Sequence, residues 1–400
     1  MSDNITPEHY RAEIAMLNHE IYSLTQKLEK KEQERLRAAA IDQYDPFDNP
    51  TEYKGFSGDY SKIEPNITVA DYVLPLEPDY SERRNLRRNY SIGGWCTLFQ
   101  FGASYLLITA LAELVAGIIV MMNNGATMTS IHRYMNGSSI SSGLNMLVYL
   151  ICNVVFAFVG LKWAGIKGSQ LIRTRDFGLG TAVQYCCAAF FLWAVSAFAG
   201  NGISEIMEEF GYASNPVDTS DYAKTGIGFA VLTIYTCIIA PITEELFFRG
   251  MLLRVLGKAN QRFAVFATAF FFGLAHGNVP QFILAFTIGI FLGHITLKHG
   301  SIIPSVIVHI FLNSFSTILE EVSDTDDMFF LFAIEMIMIA GAVFGLIMLI
   351  SFMVNNRLPS TTPKQSRRGF SVAAGSIPFI ASVMLQLAYI LANIIISKHN

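Results

Sequence analysis

The stretch PITEELFFRG, residues 241–250, carries Glu244, Glu245 and Arg249 within an otherwise apolar run. A charge near the middle of a bilayer costs about 2.5–3.5 kcal/mol to insert, so three of them together need a reason. Glu245 and Arg249 stand four residues apart, in the favourable order for an intrahelical ion pair, and each can lower the other's burial cost. Glu244 lies about 100° away around the same helix and is left for another role. Two further pairs repeat the four-residue spacing. Phe272 can wall the imidazole of His276, and His309 with Asn313 can point together into a helical bundle. These residue types suit hydrolysis by water: a carboxylate deprotonates it, a neutral His orients it or binds a metal, and a second His with an Asn donates to an oxyanion. Glu, His and His are also the ligand types of a catalytic zinc site, which makes Glu244, His276 and His309 a possible zinc set.

The elements that must position these groups are membrane helices. The chain is 52% hydrophobic and 15% charged, with a mean hydropathy of +0.40. Repeated apolar runs of about 20 residues predict an all-α fold, a polytopic membrane bundle. Nine hydrophobic segments are expected, near residues 93–121, 144–164, 179–201, 226–248, 263–277, 281–297, 301–319, 328–354 and 373–396. The fifth and sixth are separated by Gly277-Asn278-Val279-Pro280, a short break with strong turn formers. A net charge of −4 gives no reason to expect nucleic acid. All five cysteines fall in or at the edge of apolar runs without zinc-ligand or disulfide-framework spacing, so they read as packing residues.

Lys and Arg cluster on alternate connections. Arg83, Arg84, Arg87 and Arg88 precede the first span; Lys167, Arg173 and Arg175 follow the second; Arg249, Arg254, Lys258 and Arg262 surround the fourth-to-fifth turn. Lys298 follows the sixth span, and Arg357, Lys364, Arg367 and Arg368 follow the eighth. The positive-inside rule therefore predicts a cytoplasmic N-terminus and an external C-terminus; the membrane expected to hold the chain is a bacterial plasma membrane. With that orientation Glu244 lies roughly 15 Å above the cytoplasmic boundary, His276 roughly 21 Å, and His309 and Asn313 roughly 13 and 20 Å. In a hydrocarbon core of about 30 Å the four share one middle layer. His294, roughly 6 Å from the boundary, is expected to have no catalytic part.

Ahead of the spans, Tyr10, Ile14, Leu17, Ile21, Leu24 and Leu28 recur at steps of four and three. That is the a/d seam of a coiled coil, or the apolar stripe of an amphipathic helix, with Thr6-Pro7 as its cap and first turn. A homodimer through this seam is one expected partner, beside the lipid bilayer and a peptide or protein substrate. The segment after Ile41 is rich in Asp, Tyr, Pro and Gly without periodicity and reads as a linker.

At E-E-x-x-x-R (Glu244, Glu245, Arg249), F-x-x-x-H (Phe272, His276) and H-x-x-x-N (His309, Asn313) the chain resembles the CAAX protease and bacteriocin-processing family of intramembrane proteases. The resemblance covers residues 226–320 and includes "FRG" after the glutamates. It implies that Glu244 activates water with His276 beside it, and that His309 and Asn313 face the scissile carbonyl oxygen. It also implies a peptide hydrolase, described in the family both as metal-dependent and as glutamate-dependent. With the core so placed, the expected organisation is a cytoplasmic amphipathic or coiled-coil helix over 1–42, a disordered linker over 43–90, three accessory spans over 91–225, a four-span catalytic core over 226–320 and two C-terminal spans over 321–400. Two other classes compete: an ion- or proton-coupled transporter, to which Glu113 and Glu335 lend weight, and a non-proteolytic immunity or scaffolding protein.

Overall fold

The computed structural model describes residues 7–43, 78–122, 139–174, 176–212, 226–258, 260–323, 327–355 and 370–397, with Thr127, Thr129 and Ile131. The chain divides into two units, Met1–Ala70 and Asp71–Asn400. In the first unit the described element is one long helix, α1 (Pro7–Gln43), which starts at the proline expected in its first turn. Ile14, Leu17, Ile21, Leu24 and Leu28 are all exposed along it. Tyr10 lies on this helix, but its side chain falls outside the described residues.

In the second unit the described helices are α2 (Pro78–Met122), α3 (Ser139–Ala164), α4 (Leu179–Glu209), α5 (226–257), α6 (Gln261–Leu274), α7 (Val279–His299), α8 (Ile303–Ser323), α9 (Met328–Asn355) and α10 (Ile377–Ser397). Among the described residues there is no strand. Among the described residues, eight helices are long and apolar enough to cross a membrane, which makes this an integral membrane protein with an all-helical bundle. The expected fifth span is shorter than the others: α6 has 14 residues, a rise of about 21 Å against a hydrocarbon core of about 30 Å. Hydropathy carried the expected span to residue 277, whereas the backbone turns from Ala275 onward. The helix α2 starts earlier than its apolar run, at Pro78, so residues 78–90 of the expected linker are helical. Arg and Leu are good helix formers and extend the helix beyond its hydrophobic part.

The helix α5 is the centre of the fold. Phe247, Phe248, Met251, Leu252, Leu253, Val255 and Leu256 are all buried, so its second half is enclosed around its circumference. The helices α2, α3, α6 and α8 pack around it, and α7 joins α6 to α4 and α8. Tyr185 and Ala189 of α4, Phe291 and Leu292 of α7, Val308 of α8 and Phe352 of α9 form one core. Side-chain hydrogen bonds tie helices where apolar packing alone has no driving force within lipid. Gln100 Nε2 donates to Asn153 Oδ1 at 2.9 Å, joining α2 to α3, and Ser382 Oγ donates to Thr97 Oγ1 at 2.8 Å, joining α10 to α2.

Arg254 corrects part of the charge reading. It is buried rather than a loop cation. Its Nη2 donates to the carbonyls of Gln170 at 2.8 Å and Gly300 at 2.6 Å. Gly300 is the left-handed C-cap of α7 with φ +62°, and carbonyls at a helix end require a donor from elsewhere. The cysteines are free, with Cys96, Cys152 and Cys237 buried and Cys186 and Cys187 half-buried, in agreement with a packing role.

Candidate active site

The site is built on a local irregularity of α5. The short α-helical stretch Ala240–Glu245 lies between two π-helical segments, Tyr235–Ile239 and Leu246–Leu252. Such widened turns change which side chains share a face and recur at functional sites. The two glutamates stand at the end of this stretch.

Glu245 is sealed in the protein, with 0% of its side chain exposed, whereas Glu244 is 26% exposed. Arg249 Nη1 donates to Glu245 Oε1 at 2.6 Å, the intrahelical pair expected from the spacing. The same Oε1 accepts from His309 Nδ1 at 3.0 Å, a contact that spacing along one helix does not contain. With its Nδ1 proton committed to a carboxylate, His309 presents Nε2 on the other side of the ring. That nitrogen lies 3.7 Å from Glu244 Oε2. His309 therefore bridges the two glutamates, one held tightly and one approached from a distance longer than a direct hydrogen bond.

Phe272 is the apolar hub of the arrangement. Its ring meets His276 edge-on at 5.1 Å, as the spacing predicts, and also meets His309 at 5.6 Å. The Arg249 guanidinium lies 4.4 Å from the centre of the same ring, a cation–π contact strengthened by burial. Arg249 also donates from Nη2 to the Gly289 carbonyl of α7 at 3.4 Å. A Cβ at residue 289 would stand 3.0 Å from Ala269 and 3.3 Å from that Nη2. Glycine thus lets α6, α7 and the arginine close on one another.

His276 sits in the turn after α6 and donates its Nδ1 proton to the Phe272 carbonyl at 2.8 Å. The next residue, Gly277, has φ +74°, and its carbonyl accepts from Asn393 Nδ2 of α10 at 3.1 Å. Beyond the turn, Asn278 caps α7 by accepting from Gln281 N–H at 2.9 Å, so the break read from the sequence is where the chain turns. Asn313 donates from Nδ2 to the Thr236 carbonyl at 2.9 Å.

The structure therefore joins Glu244, Glu245, Arg249, Phe272 and His309 in one network. Among the described residues, Glu244 is within ion-pair reach of His309 and not of His276. Nor does any group of three or more His, Cys, Asp and Glu side chains among them lie close enough to hold one metal ion. Glu244, His276 and His309 as arranged do not fit the three-ligand pattern of catalytic zinc. His294 packs against the ring of Phe352, away from these motifs. Glu113 and Glu335 are exposed on α2 and α9, whereas the carboxylates of an ion relay face the bundle interior.

No curated protein and no solved structure matches the chain significantly. Residues 226–315, which contain α5, α6, α7 and all three motifs, match the family model of type II CAAX prenyl endopeptidase Rce1-like proteins. That match supports assignment of the motif-bearing core to the CAAX protease family, and with it, at family level, a CAAX-type intramembrane protease.

Proposed function

We propose that the chain is an intramembrane endopeptidase that hydrolyses a prenylated, membrane-associated peptide with water activated by Glu244. The observation that carries this reading is the 3.7 Å approach of Glu244 Oε2 to His309 Nε2, with His309 anchored from behind by Glu245. One water can donate one hydrogen to each of these acceptors, which leaves its oxygen lone pairs directed outward at a substrate carbonyl. Glu244 takes a proton as the water oxygen bonds to the carbonyl carbon. It returns that proton to the amine nitrogen as the C–N bond breaks. In this account His309 orients the water together with Glu244, a pairing different from the one the family resemblance implied for His276. The Nδ1 proton of His276 is held by the Phe272 carbonyl, which leaves Nε2 as its remaining imidazole nitrogen. Every step uses side chains of the protein and water.

Incubation of the purified protein in liposomes with a farnesylated peptide ending in a CAAX sequence is expected to release a C-terminal fragment. Cleavage no faster than with Glu244→Gln, for prenylated and unprenylated membrane peptides alike, would overturn the reading. The Lys and Arg distribution supports a cytoplasmic N-terminus and an external C-terminus, with α6 and α7 crossing in opposite senses.

The exposed seam of α1 supports self-association through a second copy. Ile14 and Ile21 occupy one heptad position and Leu17 and Leu24 the other, the β-branched a and Leu d combination that favours two parallel strands. Lys27 and Glu32 then fall at g and e positions, where opposite charges pair between the strands. The full-length protein in detergent is expected to sediment as a dimer, and Leu17→Lys with Leu24→Lys as a monomer with unchanged cleavage per chain. A monomer for the intact chain at every concentration would leave the seam as a lipid-surface stripe.

A further inference from the structure

Within α5 the π-helical register has a gap. The Ala240 N–H donates to the Tyr235 carbonyl, five residues back. The next bond in that register would run from residue 241 to the Thr236 carbonyl. Residue 241 is proline, which has no N–H. The carbonyl of Thr236 receives its hydrogen bond instead from Asn313 Nδ2 of α8, at 2.9 Å.

We infer that Asn313 is a positioning residue that replaces the backbone donor removed by Pro241, and that it thereby fixes the helical stretch bearing Glu244. The geometry supports this at two points. Asn313 and His309 are one helical turn apart on α8, and they grip α5 at two points, Thr236 before the Ala240–Glu245 stretch and Glu245 at its end. His309 holds Glu245 at 3.0 Å, and Asn313 holds Thr236 at 2.9 Å. A proline three residues before Glu244 frees the backbone to adopt the wide register, and the amide makes that register the one the helix keeps. An unmet carbonyl in an apolar interior is costly, so without the amide the segment would shift toward another partner and carry Glu244 with it. Asn313 thus acts through the backbone of α5 rather than on the reacting atoms. Its importance to turnover rests on the proposed hydrolysis; its structural part does not.

The two residues make a paired test, because Pro241→Ala restores the missing N–H. Intact protein, Asn313→Ala, Pro241→Ala and the double variant would be compared in detergent by thermal unfolding and by cleavage of the farnesylated CAAX peptide. Asn313→Ala is expected to unfold at lower temperature and to lose roughly tenfold to a hundredfold in kcat with little change in KM, as displacement of a catalytic group does. In the Pro241→Ala background the same substitution should cost at most about threefold in kcat and little in unfolding temperature, since the backbone then supplies the donor. If Asn313→Ala does not fold, recovery of a folded protein in the double variant is the supporting result. Equal losses in both backgrounds, or a double variant that also fails to fold, would overturn the inference and return Asn313 to direct contact with substrate. Absence of cleavage by the intact protein would count against the proposed hydrolysis alone, because unfolding temperatures still report the pairing of Pro241 with Asn313.

Discussion

Glu244→Gln is expected to lower turnover by roughly 10² or more while the protein unfolds at nearly its original temperature. The amide keeps the size and planar shape of the carboxylate and removes its capacity to take a proton. The expected separation of activity from stability follows from position. Glu244 is 26% exposed and approaches His309 only at 3.7 Å. It stands outside the tightly bonded set of Glu245, Arg249 and Nδ1 of His309. Its loss therefore leaves no buried charge uncompensated. Purified variants compared by unfolding in detergent and by cleavage of one fixed prenylated peptide would show it. Near-normal cleavage by Glu244→Gln would remove the water-activating role from this residue. A large fall in unfolding temperature would mean that the carboxylate is structural.

The part of this site legible in the sequence is the part that lies along single helices. The Glu245–Arg249 pair and the Phe272–His276 contact follow from four-residue spacing, and both form. The turn at Gly277 to Pro280 follows from residues that cannot continue a helix, and Asn278 caps the next one. What periodicity cannot contain is the meeting of helices. His309 is distant from Glu245 in the chain, and their hydrogen bond depends on α8 packing against α5. The result is a second role for Glu245, which spacing alone assigned wholly to Arg249. The π-helical segments left no periodic signal either, although Pro241 inside an apolar run was a visible mark of an interrupted backbone register. Arg254 shows the limit of counting charges: its residue type and place in the sequence group it with the loop cations, but its buried guanidinium serves the carbonyls of Gln170 and of Gly300, the C-cap of α7. The end of α6 at Leu274, short of the expected 277, has a related cause. Hydropathy does not fall where the backbone turns, because Ala275 is as apolar as the helix before it.

The second large effect is expected at Glu245, where stability and turnover can be taken apart. Glu245→Gln leaves the Arg249 guanidinium buried without its counter-charge, and breaking a buried pair in this way typically costs about 3–5 kcal/mol. Arg249→Met in the same chain removes the orphaned cation and should restore much of the lost stability, whichever residue stands at 245. Turnover depends on what 245 offers to His309. In Glu245→Gln with Arg249→Met, the amide oxygen still accepts from His309 Nδ1, so the imidazole keeps its orientation and Nε2 still faces Glu244. In Glu245→Leu with Arg249→Met that acceptor is gone, and the ring is free to rotate or to exchange its tautomer. The two double variants are therefore expected to unfold at similar temperatures, with the leucine form slower by roughly tenfold or more in kcat, as for a misplaced catalytic group. Equal cleavage by the two would show that Glu245 serves Arg249 alone and that His309 is held by its packing against Phe272. If neither double variant regains stability over Glu245→Gln, the cost of the single change does not come from the stranded arginine. With both results as expected, the three charges of PITEELFFRG have separate roles. Glu244 exchanges a proton with water, Arg249 compensates Glu245, and Glu245 in turn aims the imidazole that holds the water against Glu244.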